Sequence, residues 1–250
     1  MTLSCRRSLS TIMSLRSSLY RLSLSVLLLI ICGSVATGQS SIFFVPSTDT
    51  QTEKSALINA ESYFHFDKYL NGGFQTVGPS VVYGLRKDLE IGVNFYYTKE
   101  EGPSAFELRP NIKWKAYNNQ KNNIAVSVGS MIFIPLNKAA GTRTSAMLYA
   151  NASKTFDAAK GLRLTGGIYR IAGGDEDFGT KTGALVGVEQ PIAKKLTLLA
   201  DWTSGRNKIG YSNIGFGYEA GKSQYFAIAY TIGNSGRTNN FLSVFYGFTF

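Results

Sequence analysis

The chain is poor in the groups on which most enzymes and nucleic-acid binders rely. Its 250 residues include one histidine, His65, and two cysteines, Cys5 and Cys32, both near the N-terminus. A chain trimmed of its first 38 residues therefore has no thiol, which removes disulfide frameworks and thiolate metal sites from consideration. Charge is scarce too, at 17% of residues, where soluble domains usually carry roughly 25%. No long hydrophobic run compensates. The longest apolar block, residues 22–32, covers 11 positions and contains Ser23 and Ser25, well short of the ~20 that a membrane-crossing helix requires. What is abundant is glycine (26), tyrosine (14) and phenylalanine (16), a balance that suits a lipid-facing β wall.

The net charge of +10 does not indicate nucleic-acid binding. Arg6, Arg7, Arg16 and Arg21 fall in the first 38 residues, where there is no acid, so the remainder carries 22 basic against 16 acidic side chains. Those bases sit singly or in pairs at expected turns rather than along one face. No nucleic-acid partner and no cofactor are expected. The first 38 residues read as a secretory signal: a basic region ending at Arg21, the apolar block, then Ala36, Thr37 and Gly38, with cleavage after Gly38. Translation from Met13 would give a shorter basic region of more usual length. A mitochondrial presequence is the alternative, but an amphipathic arginine helix does not need so continuous an apolar block. Lipid attachment at Cys32 is excluded because Ile31 stands where a small residue is required. The expected organisation is a signal over residues 1–38, a periplasmic N-terminal segment over 39–54 and a barrel over 55–250.

From Ser55 onward apolar side chains recur at every second position, the period of a strand. Leu89, Ile91, Val93, Phe95 and Tyr97 alternate with Glu90, Gly92, Asn94 and Tyr96. Twelve such segments can be marked, over 55–66, 73–85, 88–98, 104–117, 122–135, 143–156, 160–172, 180–190, 194–204, 209–219, 223–233 and 239–250, with ten or fourteen strands within boundary error. An even number of strands of this length is expected of an all-β, antiparallel, up-and-down transmembrane barrel in a bacterial outer membrane, facing lipid and lipopolysaccharide. With strand one running outward, the turns at 85–88, 118–121, 157–160, 192–195 and 220–222 fall on the periplasmic side, and each carries Lys or Arg, residues that are also common in any solvated turn.

The last segment carries a resemblance. Leu242, Val244, Tyr246, Phe248 and Phe250 alternate up to a terminal aromatic, which resembles the insertion signal of bacterial outer-membrane barrels and implies recognition by the barrel assembly machinery. The hairpin sequence Tyr83-Gly84-Leu85-Arg86-Lys87-Asp88-Leu89-Glu90-Ile91-Gly92 is similar to outer-membrane transporters of the phenol-degradation meta-pathway family and implies transport, with no functional residue to carry over.

Assigning the apolar parity to lipid leaves outward charges only at Lys154 and Arg170, near strand ends. It also puts aromatics at both interfaces: Phe66, Tyr97 and Trp202 at one, Tyr83, Trp114, Phe156, Tyr218 and Phe248 at the other. Pro79 and Pro110 lack an N–H for the ladder and are expected at bulges. The opposite parity sends Glu61, His65, Glu90, Glu107, Arg109, Lys113, Lys115, Arg163 and Asp201 inward as pore-lining candidates, with Glu189 and Glu219. Two readings are open. Either Arg109, Lys113 and Lys115 form a basic ladder along a narrow hydrated path for small solutes, or the mixed charges pair into a network that fills a closed barrel. Asp175, Glu176 and Asp177 are a weak candidate for a divalent cation between lipid phosphates.

Catalysis is not expected. His65 is the only imidazole, Glu61 lies four residues before it on the same face, where it is placed to orient the ring, and neither Ser62 nor Ser80 sits in a nucleophile motif. The segment 40–54, with Phe43-Phe44-Val45-Pro46, lines the mouth, plugs it or serves as a tether. The favoured function is a passive channel or facilitated-diffusion transporter for small solutes, and the alternative is a non-conducting structural or adhesin-type barrel.

Overall fold

Alternation without an interrupting helix commits the chain to strands, and strands immersed in hydrocarbon must close on themselves, because an open edge would leave peptide groups with neither water nor a partner. The computed structural model, which describes residues 40–236 and 240–250, has that closure. Its strands are β1 (Ala56–His65), β2 (Phe74–Arg86), β3 (Leu89–Lys99), β4 (Ala105–Asn119), β5 (Ile124–Pro135), β6 (Ser145–Phe156), β7 (Leu162–Gly173), β8 (Thr182–Ala193), β9 (Leu196–Thr203), β10 (Tyr211–Glu219), β11 (Gln224–Gly233) and β12 (Phe241–Thr249). Each pairs antiparallel with its sequence neighbours, and β1 closes on β12 from Leu57↔Thr249 to Phe64↔Leu242. Two backbone bonds between Ala56 and Phe250, of 2.9 and 3.0 Å, finish the seam. The strand count is twelve, and among the described residues no helix is long and apolar enough to cross a membrane. The secretory signal read over residues 1–38 lies outside the described residues.

The two ends of the barrel differ. Five connections, beginning with the two-residue turn 87–88, span two to five residues, and the six at the opposite end span five to nine. The short turns reverse the chain through left-handed backbone at Asp88 (φ 64°), Asn123 (φ 52°) and Lys160 (φ 54°). Short turns on the periplasmic side and longer loops outside are the usual asymmetry of such barrels, so β1 rises from the periplasm.

The wall is inside out relative to a soluble protein. Ile91, Val93 and Phe95 are 36–41% exposed on the outside of β3, while Glu90, Asn94 and Tyr96, between and beside them, are 1–8% exposed. Tyr83, Trp114, Phe156 and Tyr218 are exposed near the short-turn end, and Phe66 and Trp202 near the other. Lys154 points outward with its ammonium 5.3 Å from the Phe156 ring, a cation–π contact at the periplasmic rim.

Pro79 and Pro110 correct the expectation of bulges. Pro79 sits opposite Ala60 and Pro110 opposite Val93 in unbroken register. On their other sides the ladder skips two residues and resumes unshifted, from Val77↔Tyr97 to Ser80↔Asn94 and from Leu108↔Ile134 to Asn111↔Met131. Each proline thus opens one side of the ladder locally without adding a residue. The register shifts fall at Gly84/Arg86, Lys115/Tyr117 and Pro191/Ala193, all near the short turns.

Placing a charge in the outer belt tests the inside-out assignment. Val93→Arg, near the middle of β3, is expected to destabilise the lipid-embedded barrel by about 2–4 kcal/mol, read from reversible urea unfolding in phospholipid vesicles. A neutral result would remove Val93 from the hydrocarbon.

Candidate functional site

The lumen is occupied by the chain's own N-terminal segment. Residues 40–47 fold into a tight hairpin inside the lumen, and residues 48–54 run to the short-turn end, where β1 starts. The hairpin is closed by Ser47 N–H to Ser40 O (3.1 Å) and Ile42 N–H to Val45 O (2.9 Å), with Ser41 bridged to Pro46. At its base Lys54 N–H donates to Gly84 O (2.8 Å), and Gly84 N–H to Ser55 O (3.0 Å). The approach is so close that a Cβ on Gly84 would stand 1.9 Å from the Thr52 carbonyl oxygen, which only glycine permits.

The tip, Ile42-Phe43-Phe44-Val45, supplies apolar surface to an otherwise polar interior. Ile42 and Phe43 pack with Leu199, Ala227 and Ala229, and Val45 with Phe133, Met147, Tyr169 and Leu185. Phe44 meets Tyr63, Tyr211 and Phe241 at centroid distances of 5.4–6.2 Å. Beneath the tip the Asp201 carboxylate accepts three successive backbone N–H groups through one oxygen, from Phe43 (2.9 Å), Phe44 (2.8 Å) and Val45 (2.9 Å). Its other oxygen accepts from Asn213 Nδ2 at 2.6 Å. A carboxylate capping consecutive amides is a strong, directional anchor.

The nine inward candidates divide into three groups. Five hold the plug. Asp201 caps the tip. Lys113 donates to Ser40 O (2.6 Å) and pairs with Glu90 (3.0 Å), whose second oxygen accepts Gln51 N–H (2.6 Å). Lys115 lies 3.5 Å from Asp49, and Arg163 is bound to the same carboxylate and to Thr48 Oγ1 (2.6 Å). A second group of three lines an outward-facing chamber: Glu61, Glu107 and Arg109. Arg109 is bound to Glu107, with its guanidinium 4.3 Å from the Tyr96 ring centre and 4.8 Å from that of Phe133. The third group is His65 alone, at the mouth, with Nδ1 on the Asn240 carbonyl and its ring stacked on Phe74.

The basic ladder is not free along the lumen: Arg109, Lys113 and Lys115 each face a carboxylate, and two of the three carry plug contacts. Glu61 does not orient His65, because positions four apart on a strand are separated by roughly 13 Å. It accepts instead from Tyr63 OH, from Tyr96 OH (2.6 Å) and from Asn94 Nδ2 (3.3 Å). Asp175, Glu176 and Asp177 do not converge. Asp175 is taken by Thr142, whose hydroxyl and backbone N–H hold its carboxyl below the ordinary value, and Asp177 faces Lys208 at 3.4 Å. Among the described residues no three metal-ligating side chains cluster.

A search for inward charges misses the inward aromatics Tyr63, Tyr96, Phe133, Tyr211 and Phe241, and also Asp49. Parity alone marks all but Asp49, and the consecutive run Ile42-Phe43-Phe44-Val45 is the signal for a segment that packs inside.

Among the described residues, a cavity lies on each side of the plug. The chamber toward the long loops has about 430 Å3 and is lined by Glu61, Asn94, Arg109 and the aromatic set, with Phe43 and Phe44 as its floor. A second chamber, toward the short turns, has about 190 Å3.

Asp201→Ala removes the acceptor shared by three tip amides. It is expected to raise the rate of chymotryptic cleavage after Phe43 or Phe44 in the folded barrel by about tenfold or more, since charge-assisted hydrogen bonds contribute about 1.5–3 kcal/mol each. An unchanged rate would mean that the apolar tip alone seats the plug.

No family model and no curated protein matches the chain. Among solved structures it is similar to the COG4313 outer membrane channel from Pseudomonas putida F1, with 14% identity and a TM-score of 0.53 over 86% of this chain and 100% of that one. It also matches outer membrane phospholipase A from Escherichia coli, with 10% identity and a TM-score of 0.44 over 79% of this chain and 92% of that one. A further match is Omp33 from Acinetobacter baumannii, with 9% identity and a TM-score of 0.44 over 79% of this chain and 99% of that one. The first of these likenesses and the lipid-facing belt agree on the fold: a twelve-stranded transmembrane barrel of the bacterial outer membrane.

Proposed function

We propose that this barrel, after removal of residues 1–38, is a plugged outer-membrane channel that passes small amphipathic solutes by facilitated diffusion. The observation that carries the reading is the 430 Å3 chamber open toward the long loops, walled by tyrosine and phenylalanine rings and by the Glu61 and Arg109 side chains. Rings offer apolar area and π faces to a small solute body, and the few convergent polar groups orient its polar end. The likeness to a protein described as an outer membrane channel supports this reading, as does the resemblance of residues 83–92 to phenol-degradation meta-pathway transporters. The alternating terminal residues from Leu242 to Phe250 support insertion by the barrel assembly machinery.

The plug favours one rival. A lumen filled by residues 40–54 also suits a non-conducting structural barrel, in which the ion pairs serve stability alone. Reconstitution separates the two. The channel reading expects discrete conductance steps in planar bilayers and solute-driven swelling of proteoliposomes. Silence from protein whose folding is verified by heat-dependent gel mobility would establish the structural barrel instead.

A further inference from the structure

The two chambers share four wall residues: Ser40 and Ser41 of the plug, and Asn59 and Glu61 of β1. Plug and wall therefore meet at a common boundary on the β1 side, where the plug packs through Phe44 on Tyr63, whereas its ion pairs and the Asp201 cap lie on β3, β4, β7 and β9. The ionisable side chains that line the lower chamber are all acidic, although two of them are paired with cations from behind. Asp49, Glu61, Glu189 and Glu219 line the lower chamber, and no Lys, Arg or His does. Arg163, just outside that lining, is bound to Asp49 and lies 3.6 Å from Glu189. Glu61 differs from the other boundary residues in being charged, and its hydrogen bonds come from neutral donors, Tyr63, Tyr96 and Asn94. Among the described residues no salt bridge reaches it, and the cation that acts on it through space, Arg109, is itself bound to Glu107 and sandwiched between two rings.

We propose that solutes cross this barrel with the plug seated, through the gap between Ser40-Ser41 and Asn59-Glu61, and that Glu61 makes this gap select cations over anions. The proposal rests on the channel reading and adds its route and its selectivity. A fixed carboxylate at a constriction between low-dielectric walls attracts small cations and repels anions, and Glu219 in the lower chamber adds to the same field.

The plug can be locked in place to test this. Thr48 Oγ1 and Ser153 Oγ are 2.5 Å apart, so Thr48→Cys with Ser153→Cys places two sulfurs within bonding reach between plug and β6. In a KCl gradient the oxidised protein is expected to keep its conductance steps and to pass K+ over Cl− by about tenfold, as a single desolvated carboxylate allows. Glu61→Gln in the same background should bring that ratio close to one. Asn59→Lys, which leaves the Glu61 hydrogen bonds intact, should lower it independently if the glutamine variant fails to fold. Current lost on oxidation and restored by dithiothreitol would show that the plug must leave, and would overturn this proposal while leaving the channel reading standing. A reversal potential unmoved by either substitution would overturn the role of Glu61. Silence of the wild-type folded protein would overturn the channel reading, and this proposal with it.

Discussion

Hydrocarbon offers no partner for a peptide group, and from that constraint the rest of this molecule follows. Twelve strands must close, and closure sends every second side chain into an enclosed interior. In this chain those side chains are Glu90, Lys113, Arg163, Asn151 and Asp201, which are too polar to be left dry and too closely confined to be fully hydrated. A buried polar group without a partner is costly. Residues 40–54 supply the partners: three amides for Asp201, the Pro46 carbonyl for Asn151 (2.6 Å), the Ser40 carbonyl for Lys113 and the Asp49 carboxylate for Lys115 and Arg163. The dependence is mutual, since the plug's own backbone groups would otherwise be unpaired inside the barrel.

The plug is built with two kinds of adhesion at different heights. Its tip contributes to or packs against all three buried apolar clusters, through Ile42 and Phe43, through Val45, and through Phe44. Its base is tied by charge. Apolar contacts at the tip are non-directional and tolerate small shifts, whereas the Asp201 cap and the Lys113–Glu90 pair fix position and register. The result is an obstruction whose ion pairs and Asp201 cap lie on β3, β4, β7 and β9, with a chamber above it and one below it that share Ser40, Ser41, Asn59 and Glu61 in their walls.

The sequence was legible where the environment acts on one residue at a time. A side chain that faces lipid is apolar whatever its neighbours are, so the alternation Ile91, Val93, Phe95 against Glu90, Asn94, Tyr96 marks both faces of β3, and strand ends differ from the structure by a few residues at most. All nine pore-lining candidates lie on the inward parity. Parity says nothing about distance along or across the lumen, however. Glu61 and His65 share a face but not a contact, and Lys113 and Lys115 look like a ladder only while the carboxylates of the opposing walls and the plug are out of view. The prolines mislead for a related reason. A missing donor can be absorbed by opening one side of a ladder, as at Pro79 and Pro110, without the extra residue a bulge requires.

By itself, then, the sequence determined the architecture: strands, their antiparallel order, which face meets lipid, and which charges are enclosed. These are set by the solvent each side chain meets, and the period of two writes them directly into the chain. Only the tertiary structure decided what the enclosed charges do, because that depends on which groups from distant strands converge and on where fifteen non-alternating residues go. The run Ile42-Phe43-Phe44-Val45 has no period to read. Its place against Asp201, more than 150 positions away along the chain, exists only once the barrel has closed around it.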